Sequence, residues 1–425
     1  MMRSAILAIG NELVQGRVLN TTSFLAARWL FPYGYVLEEI LTIPDDLKLI
    51  EFHLCRYLSQ YPFVILSGGL GPTTDDLTNE AVARALGRRL VVQEEVLRRI
   101  KEWERNAGLP PNPLRRKMAR LPEGAVLLTN EKAMAGYYLP LEGGKMLFCL
   151  PGVPEEFEYL LKEKVIPLLL EHFPPQEAVR FKLYKLFGLR EADINLKLQE
   201  LEALPHVSVG YYPVLPEIHL SVTVRAQSEQ EADKLFASVE ERIRKSLGEY
   251  IFAEGEDLLE AVVGRLLVKH QQMLAVAESC TGGLIASRIT RIPGSSAYFE
   301  RGVVTYSNQA KHEILGVPRE DLEKFGAVSK PVALAMAKGI RRLAHTDYGL
   351  SVTGIAGPTG GSPEKPVGTV WIGFSCAQGT VAQCFLFPGD RHLVQNFSAT
   401  TALDWLRRYL LYGTLVPRYQ FAREG

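Results

Sequence analysis

Five short runs constrain this chain more than anything else in it: "SAILAIG" (4–10), "FVILSGG" (63–69), "KMLFCLPG" (145–152), "MLAVAE" (273–278) and "YGLSVTG" (348–354). Each is apolar at consecutive positions, too short for a core helix, and ends in glycine or a small polar turn. A strand of that kind hides both faces, which requires helices on both sides of its sheet. The segments between the runs supply them. "NTTSFLAARWLF" reads as a helix capped by Asn20 and closed by Pro32, and "EEILTI" as a further strand. "DDLKLIEFHLCRYLSQ" is amphipathic, "LTNEAVARALG" stops at Gly87, and "EEFEYLLKEKVIPLLLEHF" closes the block. This alternation predicts a parallel α/β sheet.

Pro174-Pro175 breaks the style. Beyond it, "RFKLYKLFG" and "EIHLSVTVRAQ" alternate like half-buried strands, and "READINLKLQELEAL" and "SEQEADKLFASVEERIRKSLG" are polar-faced helices. From Asp257 the first style returns, with "FERGVVTYSN" read as a buried strand, then the helix "KPVALAMAKGIRRLA". The neighbouring strands "GTVWIGFS" and "TVAQCFLF" and the helix "HLVQNFSATTALDWLRRYLL" complete the block. The predicted fold class is α/β: two α/β domains, 1–173 and 255–425, joined by a small α+β domain at 174–254.

Lysine plus arginine equals aspartate plus glutamate at 48 each, so no bulk field draws the chain to nucleic acid or an anionic membrane. No apolar run approaches the ~20 residues that span a bilayer. The run in "MMRSAILAIGNEL" is too short for a signal sequence. Five cysteines, none spaced C-x-x-C, fit reduced thiols and give no zinc signature. A soluble cytoplasmic protein is expected.

Chemistry concentrates where strands end. In "AVAESCTGGLIASRIT" a strand turns into a helix through Ser279, Cys280, Thr281, Gly282 and Gly283. Such turns lie at the carboxyl edge of a sheet, and the unpaired amides of the helix start attract an anion or an oxyanion. Ser279 is then either a nucleophile or simply the helix cap, and the stretch taken alone fits the cap better. A serine nucleophile needs a base, and no histidine of this block sits in a motif. Lys311, in "TYSNQAKHEILGV", can serve if burial lowers its pKa; otherwise it is a solvated lysine of a first helical turn. Tyr306 orients either group or belongs to the core. "SVTGIAGPTGG" repeats the strand-to-loop pattern with Thr353 and Gly354, and Arg391 in "FPGDRHLV" grips a phosphate or forms a surface ion pair.

Taken in order, "AESCTGGLIASRIT", "TYSNQAKHEILGV", "TGIAGPTGG" and "GDR" resemble the CinA C-terminal family, whose members include PncC-type nicotinamide mononucleotide deamidases. The resemblance implies a serine–lysine amidohydrolase needing no cofactor. Ser279 is its nucleophile and Lys311 its base, with Tyr306, Thr353 and Arg391 around the site. Amides near Thr281–Gly283 or Gly354 are expected to stabilise the oxyanion, and Cys280 to be a buried thiol. Two positions depart from the family pattern: Gln395, often a second arginine, and Glu300-Arg301, more usually glycine.

In the first block, "SGGLGPTTDDLT" stands between a buried strand and a helix. Gly68, Gly69 and Gly71 free the backbone for phosphates, with Pro72 and Thr73 in the same loop, and Asp75 and Asp76 offer hard oxygen ligands to a divalent metal. Together with "AIGNELVQG", which contributes Asn11 and Glu12, and "LPGVPEEF", this resembles the CinA N-terminal domain, related in fold to molybdopterin-binding MoaB/MogA proteins. The resemblance implies a metal-dependent ADP-ribose diphosphatase yielding AMP and ribose 5-phosphate. Here "NEKAMAG" (130–136) replaces the family's N-x-G-T-A-P-G, Asn11 a frequent aspartate and Thr22 an asparagine. The middle block resembles the KH-like domain of full-length CinA proteins, but between 171 and 250 ten Lys/Arg face thirteen Asp/Glu and no G-x-x-G loop occurs. It is read as a spacer or dimerisation unit without direct nucleic-acid contact. A homodimer is implied by the resemblance. Three functions follow: a bifunctional nucleotide-salvage enzyme, a deamidase with a nucleotide-binding first domain, or a non-enzymatic partner in competence or DNA damage.

Overall fold

The computed structural model describes residues 1–128 and 135–423. They form two compact units, Met1–Val179 with Arg225–Ala232, and Arg180–Val224 with Asp233 to the C-terminal end. Among the described residues no helix is long and apolar enough to cross a membrane. Most of "NEKAMAG" lies outside the described residues, so its departure from the family pattern has no structural account.

The first unit contains β1 (Met2–Ile9), β2 (Tyr35–Ile43), β3 (Phe63–Ser67), β4 (Leu90–Val92), β5 (Arg120–Pro122), β6 (Val126–Leu127), β7 (Tyr137–Pro140) and β8 (Met146–Leu150). Its six-stranded sheet runs β2-β1-β3-β8-β7-β6. The first four strands are parallel, and β7 and β6 add antiparallel. Alternate residues of each apolar run feed two different cores. Ala5, Leu7, Val64, Leu66, Leu147 and Cys149 pack on one face, and Ile6, Phe63, Ile65, Met146, Phe148 and Leu150 on the other. This is the two-sided burial that consecutive apolar residues demand. The helix Thr21–Leu30 is capped by the Asn20 side chain, as its sequence predicts, and Leu47–Gln60 by Asp46. The helix Glu94–Asn106, which the sequence reading does not assign, is amphipathic and buries Val96 and Ile100 against Ala119.

In the second unit, β9 (Ala178–Leu186, which begins in the first), β10 (Val207–Val214), β11 (Glu217–Ala226) and β12 (Ile251–Glu254) form a sheet in the order β10-β11-β9-β12. A six-stranded sheet follows, from β13 (Leu274–Glu278), β14 (Phe299–Val304), β15 (Tyr348–Gly354), β16 (Thr369–Cys376), β17 (Gly379–Leu386) and β18 (Ala422–Arg423), in the order β14-β13-β15-β16-β17-β18. β14, β13 and β15 are parallel; β16, β17 and β18 are antiparallel. The sheet of this second α/β domain is therefore parallel in one half and antiparallel in the other. Only two residues join β16 to β17, which permits a hairpin but no crossover. β14 departs from the expectation of a buried strand. It lies at the sheet edge, with Glu300, Arg301, Gly302 and Val304 exposed. The exposed edge accommodates the charged Glu300-Arg301 pair, which bond to each other.

Candidate active sites

β13 lies between β14 and β15, so its carboxyl end is flanked by the ends of both neighbours. Ser279 is the first residue beyond it, held by its amide on the Val352 carbonyl at 2.9 Å. Gly282 and Gly283 take φ of 63° and 99°, values that turn the chain sharply and that side chains other than glycine's resist. The helix Leu284–Thr290 starts there. Its cap is not Ser279 but Glu278, whose buried carboxylate accepts the amides of Gly283 (3.1 Å), Ile285 (3.1 Å) and Ala286 (2.9 Å). The Gly282 amide donates to the Ser279 carbonyl at 3.1 Å. Of the amides expected to bind an oxyanion, those of Gly282 and Gly283 are thus already used. Among the described residues, the amide of Thr281 has no acceptor, and that of Cys280 has only its own thiol. Cys280 itself is buried in the core, where desolvation pushes its thiol up to about 12.

The Thr305 amide bonds to the Glu278 carbonyl at 2.8 Å, fixing the chain beyond β14 beside the Ser279 turn. Ser307 then caps the helix Asn308–Leu315, and Lys311 falls on its inner face. Lys311 is 1% exposed, not the solvated residue of a first turn. Its Nζ lies 3.0 Å from Ser279 Oγ, 2.7 Å from the Thr305 carbonyl and 3.2 Å from the Tyr306 carbonyl. Among the described residues no carboxylate pairs with it, and burial lowers its pKa to about 8.

The other residues assigned to this site spread around the pair. Tyr306 is not core: it is 61% exposed, and its hydroxyl accepts from Arg391 Nη2 at 3.0 Å. Arg391 also donates through Nη1 to the Gly357 carbonyl at 2.9 Å. Its neighbour Asp390 caps the helix Arg391–Tyr412 instead of pairing with it. Arg391, His392 and Gln395 line an open cleft of about 620 Å³ with Ala356, Pro358 and Val367. Thr353 is buried and donates to the Ala327 carbonyl at 2.9 Å, so its hydroxyl is committed to holding the loop 327–329. Gly354 is required by packing, since a Cβ there would meet Val370 at 2.7 Å. Thr281 Oγ1 is buried without a partner among the described residues. Gln395 Nε2 donates to the Cys280 carbonyl at 2.8 Å, a contact its place four residues after "GDR" does not disclose.

In the first unit the ends of β1, β3 and β8 border a cleft of about 830 Å³. Gly68 lies where β1 and β3 approach most closely: φ is 99°, and a Cβ would meet the Ile9 carbonyl oxygen at 2.3 Å. Gly69, Gly71, Pro72, Thr73, Asp75 and Asp76 line the cleft, as does Glu12. Asn11 is not among the lining residues; its amide donates to Asp45 Oδ2 at 2.8 Å. Asp45, Glu156 and Trp103 line the cleft although the sequence did not single them out; "PDDLK" read only as a helix start. The Thr73 hydroxyl shares its one proton between the Asp75 and Asp76 carboxylates, and its amide donates to Asp76 at 2.7 Å. The Thr73 hydroxyl, with the Lys117 charge adding to it, holds the Asp75 carboxyl below the usual range. Burial, reinforced by the charges of Glu12, Asp75 and Asp76, raises Asp45 against the Asn11 hydrogen bond.

Among the described residues, five carboxylates and no lysine or arginine line this cleft. Carboxylates gathered in this way repel an unaccompanied diphosphate and favour one that arrives with a cation. No group of three or more His, Cys, Asp or Glu side chains among the described residues is arranged as a metal cage. The residues therefore fit a cation held by one or two carboxylates and by substrate phosphates, as Mg²⁺ commonly is.

The molecule is thus a protein of two α/β sheets with a small α+β sheet between them in sequence, carrying a buried serine–lysine pair and a separate acidic cleft. Residues 5–171 match the probable molybdopterin binding domain family, 182–253 the KH domain of damage-inducible CinA proteins, and 256–410 the CinA C-terminal domain. A CinA-like protein of Desulfotalea psychrophila is 44% identical over 96% of this chain and 98% of its own. One of Syntrophus aciditrophicus is 44% identical over 97% and 99%. The chain belongs to the CinA family. Among solved structures, the competence/damage inducible protein CihA from Agrobacterium tumefaciens is 41% identical, covering 35% of this chain and 93% of that one at a TM-score of 0.34.

Proposed function

We propose that the C-terminal site is a serine–lysine amidohydrolase that converts nicotinamide mononucleotide to nicotinate mononucleotide and ammonia. The observation that carries this reading is the surroundings of Lys311 Nζ. Two of its three neighbours are carbonyl oxygens, which can only accept. A neutral amine has two N–H groups and one lone pair. With Thr305 and Tyr306 taking the N–H groups, the lone pair faces Ser279 Oγ, 3.0 Å away. Lys311 then removes the Ser279 proton as Oγ attacks the carboxamide carbon. The same proton passes to the departing amine, which leaves as ammonia. Water, deprotonated in turn by Lys311, cleaves the acyl ester and restores Ser279. Arg391 supplies charge for the substrate phosphate at the mouth of the cleft.

For the first unit the reading is a metal-dependent diphosphatase acting on ADP-ribose. A divalent cation held by Asp75 and Asp76 would neutralise the diphosphate and polarise its phosphoryl oxygens. The glycine-rich backbone at 68–71 and Thr73 bind the phosphates, and Glu12 and Asp45 supply carboxylates near the attacked bond.

Incubating the chain with nicotinamide mononucleotide, and separately with ADP-ribose and a divalent metal, tests both readings. Ammonia from the first and AMP from the second are expected. Ser279→Ala is expected to abolish ammonia and spare AMP, and Asp75→Ala the reverse. Ammonia release that survives Ser279→Ala overturns the nucleophile assignment. Ammonia without AMP leaves the first unit as a binding domain.

A further inference from the structure

The Ser279 turn spends its amides unevenly. Those of Ser279, Gly282, Gly283, Leu284, Ile285 and Ala286 all have acceptors within the protein. That of Cys280 meets only its own thiol, and that of Thr281 has no acceptor among the described residues, although both residues are buried. A buried amide without an acceptor costs free energy that the fold must offset elsewhere. Here the unpartnered amide is Thr281's, two residues after the serine whose hydroxyl lies on Lys311.

The peptide between Cys280 and Thr281 is also gripped from outside the turn. Gln395, from the first turns of the helix Arg391–Tyr412, donates Nε2 to the Cys280 carbonyl at 2.8 Å. In a trans peptide the C=O and the N–H point in opposite directions within one plane. A donor that fixes the carbonyl therefore fixes the aim of the Thr281 N–H. Gln395 also stands four residues after Arg391, so both side chains project from one face of the helix, and both line the same open cleft.

We propose that Gln395 is a positioning residue of the deamidase: by holding the Cys280 carbonyl it aims the Thr281 amide at the oxygen that becomes negative when Ser279 attacks. Gln395 touches neither the reacting carbon nor the nucleophile; it acts through the peptide plane. The inference rests on the amidohydrolase reading of this site. It separates Gln395 from Arg391, which faces the phosphate, although both belong to one helix face. An oxyanion donor is felt only in the transition state, so its loss lowers kcat and leaves KM nearly unchanged.

The test compares wild type, Gln395→Ala, Gln395→Glu and Gln395→Arg on nicotinamide mononucleotide and on nicotinamide riboside, which lacks the phosphate. Gln395→Ala and Gln395→Glu, which have no donor, are expected to lose about 10- to 100-fold in kcat with KM within about twofold. The factor is expected to be equal on both substrates, and Gln395→Arg, which restores a donor, to recover most of it. Unchanged unfolding midpoints are expected to accompany these losses, since the residue is only partly buried. A defect in KM that disappears on the riboside assigns Gln395 to the phosphate and overturns the proposal. Wild-type kcat in Gln395→Ala also overturns it while leaving the deamidase reading intact. A wild-type chain that releases no ammonia from either substrate overturns both.

Discussion

Lys311 Nζ and Ser279 Oγ lie 3.0 Å apart across 32 residues of sequence, with the lysine 1% exposed and its pKa lowered to about 8 by burial. In the proposed mechanism the neutral base is the active form, so deamidation is expected to rise with pH through about 8 and level off above it. Near pH 7 about a tenth of the lysine is neutral, by the usual titration law. Stability has the same sign. The unfolded chain holds the lysine proton up to its ordinary pKa of 10.5, while the folded chain releases it near 8. Between those values the unfolded state binds more protons, and stability rises with pH. Lys311→Met is expected to abolish ammonia release and remove this rise. Initial rates and urea midpoints from pH 6.5 to 10.5 check both.

Part of this site was legible in the sequence, and the division has physical causes. The strand-to-turn pattern located Ser279, because consecutive apolar residues ending at glycines have few other folds. The sequence could not distinguish a buried Lys311 from a solvated one, since its burial comes from the Thr305–Tyr306 backbone on its amine and from the helix Lys330–Ala344 packed against its own helix. Glu278 was passed over for the opposite reason. A glutamate at a strand end reads as solvated, and only the returning helix start makes it an anion-like cap. In the first unit Asp75 and Asp76 stood in a visible motif, whereas Asp45 reaches the cleft only because β2 lies beside β1. Strands β10 and β12 escaped notice because "VSVGYYPV" is largely exposed and "IFAE" is too short to show a period.

Glu278 accepts three amides at the start of the helix Leu284–Thr290, and its carboxylate is buried. Glu278→Gln keeps the shape but turns an NH₂ toward amide donors and removes the charge. A loss of about 1–3 kcal/mol in stability is expected, the cost of spoiling charge-assisted hydrogen bonds to a buried group. Ammonia release is expected to fall with it, because the same bonds set the turn that carries Ser279. Chemical denaturation and initial rates measure the two effects, and a variant with wild-type stability would show that the cap is dispensable.

The acidic cleft predicts opposite responses to a chelator and to Asp45→Asn. Chelation is expected to stop AMP formation and leave ammonia release unchanged. Asp45 has its pKa raised in the folded state, so its ionised form opposes folding above its unfolded pKa. Asp45→Asn keeps an acceptor for the Asn11 amide and removes a charge from beside Glu12, Asp75 and Asp76. It is expected to raise the unfolding temperature at pH 7, with the gain shrinking as pH falls toward 3.8. Added divalent metal is expected to stabilise wild type more than the variant. Calorimetry across pH, with and without metal, reads all three, and no gain at pH 7 counts against charge repulsion in the cleft.

Asp404 makes the strongest stability prediction. It is fully buried and accepts from Arg407 Nε at 2.7 Å, Arg408 Nε at 2.8 Å and the Tyr419 hydroxyl at 3.0 Å. The two guanidinium groups are themselves buried and reach out of the helix Arg391–Tyr412 to the small sheet. Arg407 donates to the Glu249 carbonyl at 2.7 Å, and Arg408 to the Glu249 carboxylate at 2.9 Å. Asp404 and Glu249 together balance the two charges that tie the small sheet to the closing helix. Asp404→Ala leaves two buried cations with Glu249 alone, half exposed, as their counter-ion. Removing one partner of a buried ion pair costs about 3–5 kcal/mol, and a loss of that size is expected here. Asp404→Asn retains an acceptor for one guanidinium and is expected to lose less. Because the network spans both sheets of the second unit, the two are expected to unfold in one transition in wild type. In Asp404→Ala that transition is expected to split, with hydrogen exchange quickening in β9 and β12 before β13 and β15. Equal exchange in all four strands of the variant would show that the pair does not couple the sheets.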